Sequence, residues 1–354
     1  MRNLSALLVA AFFLCGNAAA ASPVTTTTAN GIDIPRPRAS VQQGVDPNDE
    51  LAEEDEVYWA RFLQQDLPSI PTVEPSPEPT ANTPVPTSNE YTEPVIGFAS
   101  IDGYGLNGTT GGNVAGSKMV TVRDAEDFIY YIKRRDPYIV QVVGMLNTYN
   151  CSTCENRAAH VVRSDKTIIG VGPDSGIIGA GLKISGVKLA DNETVPSNGT
   201  ELSGNIIIRN MNFVDCIVDC IGIQMFAHHI VIDHNSFSGP LDGSIDIKRG
   251  SDLITVSWNV FRRPNNKTLL LGHDDENAEQ DEGRLRVSYH HNWFYATHGR
   301  HPRVRFGHPV HVFNNYYFNI SDYGIGSTMN AGLTIEVLWI FSVLSYIGCF
   351  GALC

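Results

Sequence analysis

Five lines of the chain share one shape: NIIIRNMNF (205–213), HHIVIDHNSF (228–237), DLITVSWNVF (252–261), RLRVSYHHNWF (284–294) and PVHVFNNYYF (309–318). Their closing residues Phe213, Phe237, Phe261, Phe294 and Phe318 step by 24, 24, 33 and 24 residues. Each line is β-branched and alternating, the pattern of a short strand. Asn recurs one to three residues ahead of most of the phenylalanines. A short strand-bearing unit at a fixed period is the mark of a solenoid. Strands this short need a neighbour above and below, so the repeat predicts an all-β chain wound as a parallel β-helix. The long step predicts an extra loop within GHDDENAEQDEG (272–283).

The repeat also says which side chains stand over one another. Five or six residues past successive phenylalanines come Asp219, Asp242, Lys267 and Arg300. Neighbouring strands lie about 4.8 Å apart, so these four are expected to form one column. Asp246 follows Asp242 by four residues, and an even offset in a strand returns a side chain to the same face. Carboxylates below and cations above make a place for a metal and an anionic ligand. The plainer reading is a salt-bridge ladder on a solvated face, which explains any single member more easily than all five in register.

The net charge of −13 is uneven. Residues 22–94 carry 13 Asp/Glu against 3 Arg, and the remainder is only mildly acidic. That balance, and the lack of a long basic run, excludes nucleic acid as the expected partner. The same stretch holds twelve of the nineteen prolines. Residues 22–95 therefore read as a disordered linker or pro-region. Within it, 49–67 is expected to form a short acidic helix with Tyr58, Trp59, Phe62 and Leu63 on one side. Residues 1–21 read as a secretory signal, with Arg2, an apolar run and Ala18, Ala19 and Ala20 at the cleavage site. Sequons at Asn107, Asn150, Asn192, Asn198, Asn266 and Asn319 agree with an extracellular protein. Of the seven cysteines, Cys15 lies in the leader, and sequence leaves the pairing of the other six open. Cys151 and Cys154 read as a disulfide, since no second CxxC or His pair follows at zinc spacing.

The folded domain is expected over residues 96–336. GLNGTTGGNVAG (105–116) reads as close-packed turns, because it enters no nucleotide-binding βαβ unit. VTVRDAEDFIYYIKRR (120–135) suits a short helix capping the end of the solenoid. YIVQVVGML (138–146) and KTIIGVG (166–172) are then the first rungs. From 337 to 354 the chain is apolar and the repeat is expected to stop. That length is marginal for a membrane span. A truncated end is favoured over a tail anchor, so a monomer with no membrane partner is expected.

The segments NIIIRNMNF, VIDHNSF, DGSIDIKRGSD, NNKTLLLG, VSYHHNWF and RHPRVRFG, with the earlier GTTGG and KTIIGVG, resemble the pectate lyases of polysaccharide lyase family 1. The resemblance implies a right-handed single-stranded parallel β-helix with a groove for polygalacturonate. It implies Asp219, Asp242 and Asp246 as Ca²⁺ ligands, Lys267 and Arg305 as binders of substrate carboxylates, and Arg300 as the catalytic base. Asp242 and Asp246 match within DGSID, and Asp219 matches with one residue inserted before VIDH. Ile217 stands where some members have a further Asp, and Val231 replaces the Trp often found before IDH. Related pectin lyases take a methyl-esterified polymer and lack these carboxylates, so their presence points to unesterified pectate.

The chemistry asks for such residues. β-Elimination of a 1,4-linked uronate begins with removal of the C5 proton beside a carboxylate, and a dianion results. Ca²⁺ takes six to eight oxygen ligands, so carboxylates on one face can hold it and leave room for the sugar acid. A guanidinium is effectively always protonated, so Arg300 as a base needs positive neighbours and implies an alkaline optimum. Two rivals stand beside this lyase: a glycoside hydrolase using Asp274 and Asp275, and a non-catalytic wall-binding protein. His234, His290 and His291 read as structural.

Overall fold

A computed structural model describes residues 8–9, 94–154, 157–186, 203–262 and 267–349. The linker with its 49–67 stretch, the sequons at Asn192, Asn198 and Asn266, and all but Leu8–Val9 of the leader lie outside the described residues. Sequons at Asn107, Asn150 and Asn319 are exposed.

The chain winds through three parallel sheets. The first stacks Lys118–Val122, Tyr138–Val142, Lys166–Gly170, Gly204–Arg209, His228–Asp233, Asp252–Ser257, Val287–His290, Val310–Phe313 and Leu333–Glu336. The second stacks short strands such as Asn212–Val214, Ser236–Ser238, Val260–Arg262 and Trp293–Tyr295. The third holds Gly181–Ser185, Ile221–Gln224, Gly243–Ile247, Lys267–Leu271 and Arg303–Arg305. One long strand, Tyr316–Thr328, runs through both the second and the third. This is the expected right-handed parallel β-helix.

Alternation along each strand puts one apolar column after another inside. Ile208, Ile232, Val256, Tyr289 and Val312 stack in register in the first sheet, and all are buried. In the second sheet Phe213, Phe237, Phe261 and Phe294 lie ring on ring, with centroids 4.9, 4.9 and 5.0 Å apart. The column then continues through Tyr317, not Phe318. The last coil is therefore one residue shorter than the spacing of phenylalanines suggests. Phe318 points outward and stacks on Tyr295 at 5.5 Å, while the Tyr317 hydroxyl, carrying a polar tip inward, donates to His301 O at 3.1 Å.

The recurrent Asn forms a buried ladder. Asn235 N donates to Asn259 Oδ1 at 2.9 Å, Asn259 N to Asn292 Oδ1 at 3.1 Å, and Asn292 N to Asn315 Oδ1 at 2.9 Å. Each Nδ2 donates back to a backbone carbonyl, as Asn259 does to Ile232 O at 2.9 Å. A buried polar group is tolerated when so paired. The residue before each Asn bends left-handed, with φ of 55° at His234, Trp258 and His291. These bends project the rings outward, where Trp258 stacks between His234 and His291 at 5.6 and 4.2 Å.

The front of the solenoid departs from expectation in one detail. Lys118–Val122, whose last three residues open the stretch that suits a short capping helix, is the first strand of the first sheet. Its alternation of β-branched residues wins until Asp124 caps the helix Ala125–Lys133 by accepting from Asp127 N at 2.8 Å. Phe128, Ile129 and Ile132 then cover the core. The glycine-rich turns pack as expected, the Thr110 and Gly111 amides donating to Asn205 Oδ1 at 2.7 and 2.8 Å. The long coil holds a short helix, Ala278–Asp281, in the predicted loop. At the far end the repeat does not stop. Leu338–Cys349 pairs in parallel with Tyr316–Thr328 and adds a rung, its apolar residues matching a strand's needs as well as a membrane's. Among the described residues no helix is long and apolar enough to cross a membrane. Cys151 pairs with Cys154 and Cys216 with Cys220.

The ladder predicts a steep cost for its loss. Asn259→Ala leaves Asn235 N and Ile232 O without partners in the core, and is expected to destabilise the domain by about 3 kcal/mol. Chemical denaturation of the two chains checks this.

Candidate active site

The predicted charges gather at the corner where the third sheet begins. Asp219 precedes Ile221–Gln224, Gly243 and Lys267 open their strands, and Arg300 comes just before Arg303–Arg305. The register pairs Ile221 with Ile245, Gly243 with Lys267 and Leu270 with Arg303. The column thus runs Asp219, Gly243, Lys267, Arg300. Asp242 is one residue out of it, because it stands five residues past its phenylalanine where the others stand six. Its carboxylate turns instead to Lys267, whose Nζ lies 2.6 Å from Asp242 Oδ1.

Gly243 is what makes the corner hollow. A Cβ there would lie 2.7 Å from Oδ1 of both Asp219 and Asp246. Its amide donates to Asp219 Oδ1 at 2.9 Å. Two carboxylates therefore converge over one glycine. Lys248 Nζ reaches both, 2.9 Å from Asp246 Oδ2 and 3.8 Å from Asp219 Oδ2. Lys248 escaped the reading of the sequence, although an offset of two from Asp246 puts it on the same face.

Burial, then the charge of Asp246, pushes Asp219 up to about 7, and the Lys248 ammonium opposes that rise. Burial by itself would lower Lys248, but Asp246 and Asp219 outweigh it and hold the ammonium above its usual range. Among the described residues no three His, Cys, Asp or Glu side chains are gathered into a metal-holding cluster as they stand. The donors present nevertheless suit a hard cation. There are two facing carboxylates, a glycine hollow between them, and a resident ammonium that marks the place as one that attracts positive charge.

Above these carboxylates the face is cationic. Arg303 and Arg305 share one side of their strand by the same offset of two. Arg305 Nε is tied to Asp275 Oδ1 at 2.6 Å. Burial, then the charges of Arg305 and Arg300 opposed by Tyr323, lowers the Arg303 guanidinium. Arg303 was not among the residues singled out from the sequence. Of the acidic pair Asp274 and Asp275, one is spent on Arg305 and the other accepts from Glu276 N at 2.8 Å.

Arg300 sits at a left-handed bend, φ 61°, and its carbonyl accepts from Leu269 N at 2.8 Å. The next residue, His301, is buried, its Nε2 3.1 Å from Thr268 Oγ1 and 2.8 Å from Thr297 Oγ1. His234 lies 2.7 Å from Asp233 Oδ2, and His290 stacks on Phe313 at 4.7 Å, both on the first sheet. His234 and His290 belong to the first sheet's side of the coils, and His301 holds the frame beside Arg300.

Comparison with known proteins places this fold in a class. A profile of the pectate lyase family matches residues 87–343. The chain belongs to the pectate lyase family. It is 36% identical over 234 residues to a pectate trisaccharide-lyase of Thermotoga maritima, covering 63% of this chain and 56% of that one. It is 33% identical over 279 residues to pectate lyase A of Emericella nidulans, covering 73% and 75%. A pectate lyase from Bacillus sp. N165, solved in complex with trigalacturonate, superposes with a TM-score of 0.53 at 29% identity, covering 68% of this chain and 73% of that one. The chain spans little more than half the length of the Thermotoga relative.

Buried imidazoles set a pH dependence. Burial pushes His290 and His301 down to about 4 from an ordinary 6.5. Both are depressed in the folded chain, so the unfolded chain takes up protons first. Their contribution is present above pH 6.5 and is lost as pH falls towards 4. Melting temperature is expected to drop across that window, which thermal unfolding at stepped pH will read.

Proposed function

We propose that this protein is a secreted, Ca²⁺-dependent pectate lyase. It cleaves (1,4)-α-D-galacturonan by β-elimination to 4,5-unsaturated oligogalacturonides, in the degradation of plant cell wall pectin. One observation carries this: Asp219 and Asp246 converge over Gly243 on lower coils, while Lys267 and Arg303 follow in register above them. The printed names of the relatives, one of them a trisaccharide-lyase and one bound to trigalacturonate, agree with that substrate class. The two disulfides and the leader-like residues 1–21 support an oxidising, extracellular setting.

Asp219, Asp242 and Asp246 would hold Ca²⁺, with Asp242 leaving Lys267 to do so. The bound ion would neutralise charge developing on the substrate carboxylate. Lys267, released from Asp242, pairs with that carboxylate, and Arg305 takes a neighbouring one in exchange for Asp275. Arg300, as the neutral guanidine, accepts the C5 proton and becomes the guanidinium. The electron pair left behind becomes the C4–C5 double bond, the bond from C4 to the glycosidic oxygen breaks, and that oxygen takes a proton from solvent. The guanidinium must first lose a proton to act as a base, which its ordinary state opposes. A base of this kind is available only as pH rises, so an alkaline working range is expected.

The ultraviolet absorbance of the unsaturated product tests the proposal. Chelation is expected to abolish it, and Arg300→Ala to slow it by about a thousand-fold with the melting temperature unchanged. Saturated reducing ends would indicate hydrolysis instead, and tight binding of pectate with no turnover a wall-binding protein. Gly243→Ala fills the hollow between the carboxylates and is expected to weaken Ca²⁺ binding at least ten-fold, about 1.4 kcal/mol, by isothermal titration.

A further inference from the structure

The side chain of Arg300 has a neighbour that the proposed chemistry does not use. Tyr323 lies in the long strand Tyr316–Thr328, with its phenol close enough to Arg300 for the guanidinium charge to act on it. Its ring rests over Gly299, where a Cβ would lie 3.2 Å from Tyr323 Cε1 and 3.4 Å from Cδ1. The backbone on either side is pinned. Tyr323 O is 3.0 Å from His301 Nδ1, and His301 N donates to Gly324 O at 2.8 Å. A ring held over a glycine, on a strand bonded to the residue after Arg300, brings its hydroxyl to one place.

We propose that Tyr323 is the positioning residue for Arg300. The inference rests on the reading of Arg300 as the base. Arg carries a long stem whose rotamer freedom is lost when it is held in one pose. A carboxylate partner would hold the guanidinium but would also favour its charged form. A neutral phenol restrains it without that cost. The charges around Tyr323 are Arg300, Arg303 and Asp322, with His298 Nε2 3.7 Å from Asp322 Oδ2. Burial outweighs the two arginines and keeps the hydroxyl protonated above its ordinary range. The role assigned is that an Arg300 N–H donates to the phenol oxygen when the guanidinium is held for reaction. Gly299 serves the same end by leaving room for the ring.

The test uses the whole chain with Ca²⁺ and polygalacturonate. Tyr323→Phe removes only the hydroxyl and is expected to lower kcat about ten-fold, as loss of one hydrogen bond to a charged group would. KM is expected to stay within about two-fold, the mark of an interaction felt in the transition state, with an unchanged melting temperature. In an Arg300→Lys background the same substitution is expected to cost nothing further, since coupled residues are not additive. Gly299→Ala, which crowds the ring, should reproduce the loss in kcat. An unchanged kcat in Tyr323→Phe would overturn the assignment, as would an equal loss in the Arg300→Lys background. A melting temperature that falls together with kcat would assign Tyr323 to the fold. A wild-type chain that makes no unsaturated product would fail the parent reading instead, and is seen in the same assay before any variant is compared.

Discussion

Parallel coils in register impose one rule on this molecule: whatever stands at a position stands next to its counterpart on the coils above and below. Backbone hydrogen bonds set the rung spacing, and side chains must live with it. Rings meet that rule by stacking, and the 4.9 to 5.0 Å between successive phenylalanines is the rung spacing itself. Asparagines meet it by bonding to one another, each amide oxygen serving the backbone of the coil before. A single unmatched amide in such a column would be a buried polar group with no partner, which the core does not tolerate.

The same rule acts on charge, and there it creates the site. Identical carboxylates on successive rungs would repel one another at close range. At the corner of the third sheet the chain alternates instead. Asp219 is followed by Gly243, and Gly243 by Lys267. Lys248 reaches in beside the two carboxylates, and Asp242 leans to Lys267. The corner holds three carboxylates against two ammoniums, and on the proposed function its ion pairs would be exchanged for a metal ion and a sugar acid. On the opposite flank Asp275 does for Arg305 what Asp242 does for Lys267. On the proposed function, the anionic substrate would find cations already accompanied by carboxylates.

Around this exchangeable core the scaffold is stiff. The left-handed bend at Arg300, the buried His301 wedged between two threonines, and the strand that bears Tyr323 all belong to the backbone frame. Chemistry that depends on one guanidinium pose needs such support from its surroundings. Exchangeable charges on a fixed frame suit the proposed grip and release of a polymer.

How much of this the chain discloses by itself follows from period. The strands, the coil length, the phenylalanine and asparagine columns and the stacking of Asp219, Lys267 and Arg300 are local facts repeated, so spacing alone reveals them. Spacing failed by one residue at Asp242 and at Phe318, because counting cannot see whether a turn gains or loses a residue; only the hydrogen-bonded register decides that. It overlooked Lys248 and Arg303, which the two-residue alternation of a strand could have flagged, and Tyr323, which no spacing could. Tyr323 meets Arg300 because a strand from the next coil passes over Gly299. Sequence by itself determined the winding and the supply of charges along it. The tertiary structure decided which of those charges touch, because contact between coils depends on where each turn ends, and that is settled by packing across the whole solenoid.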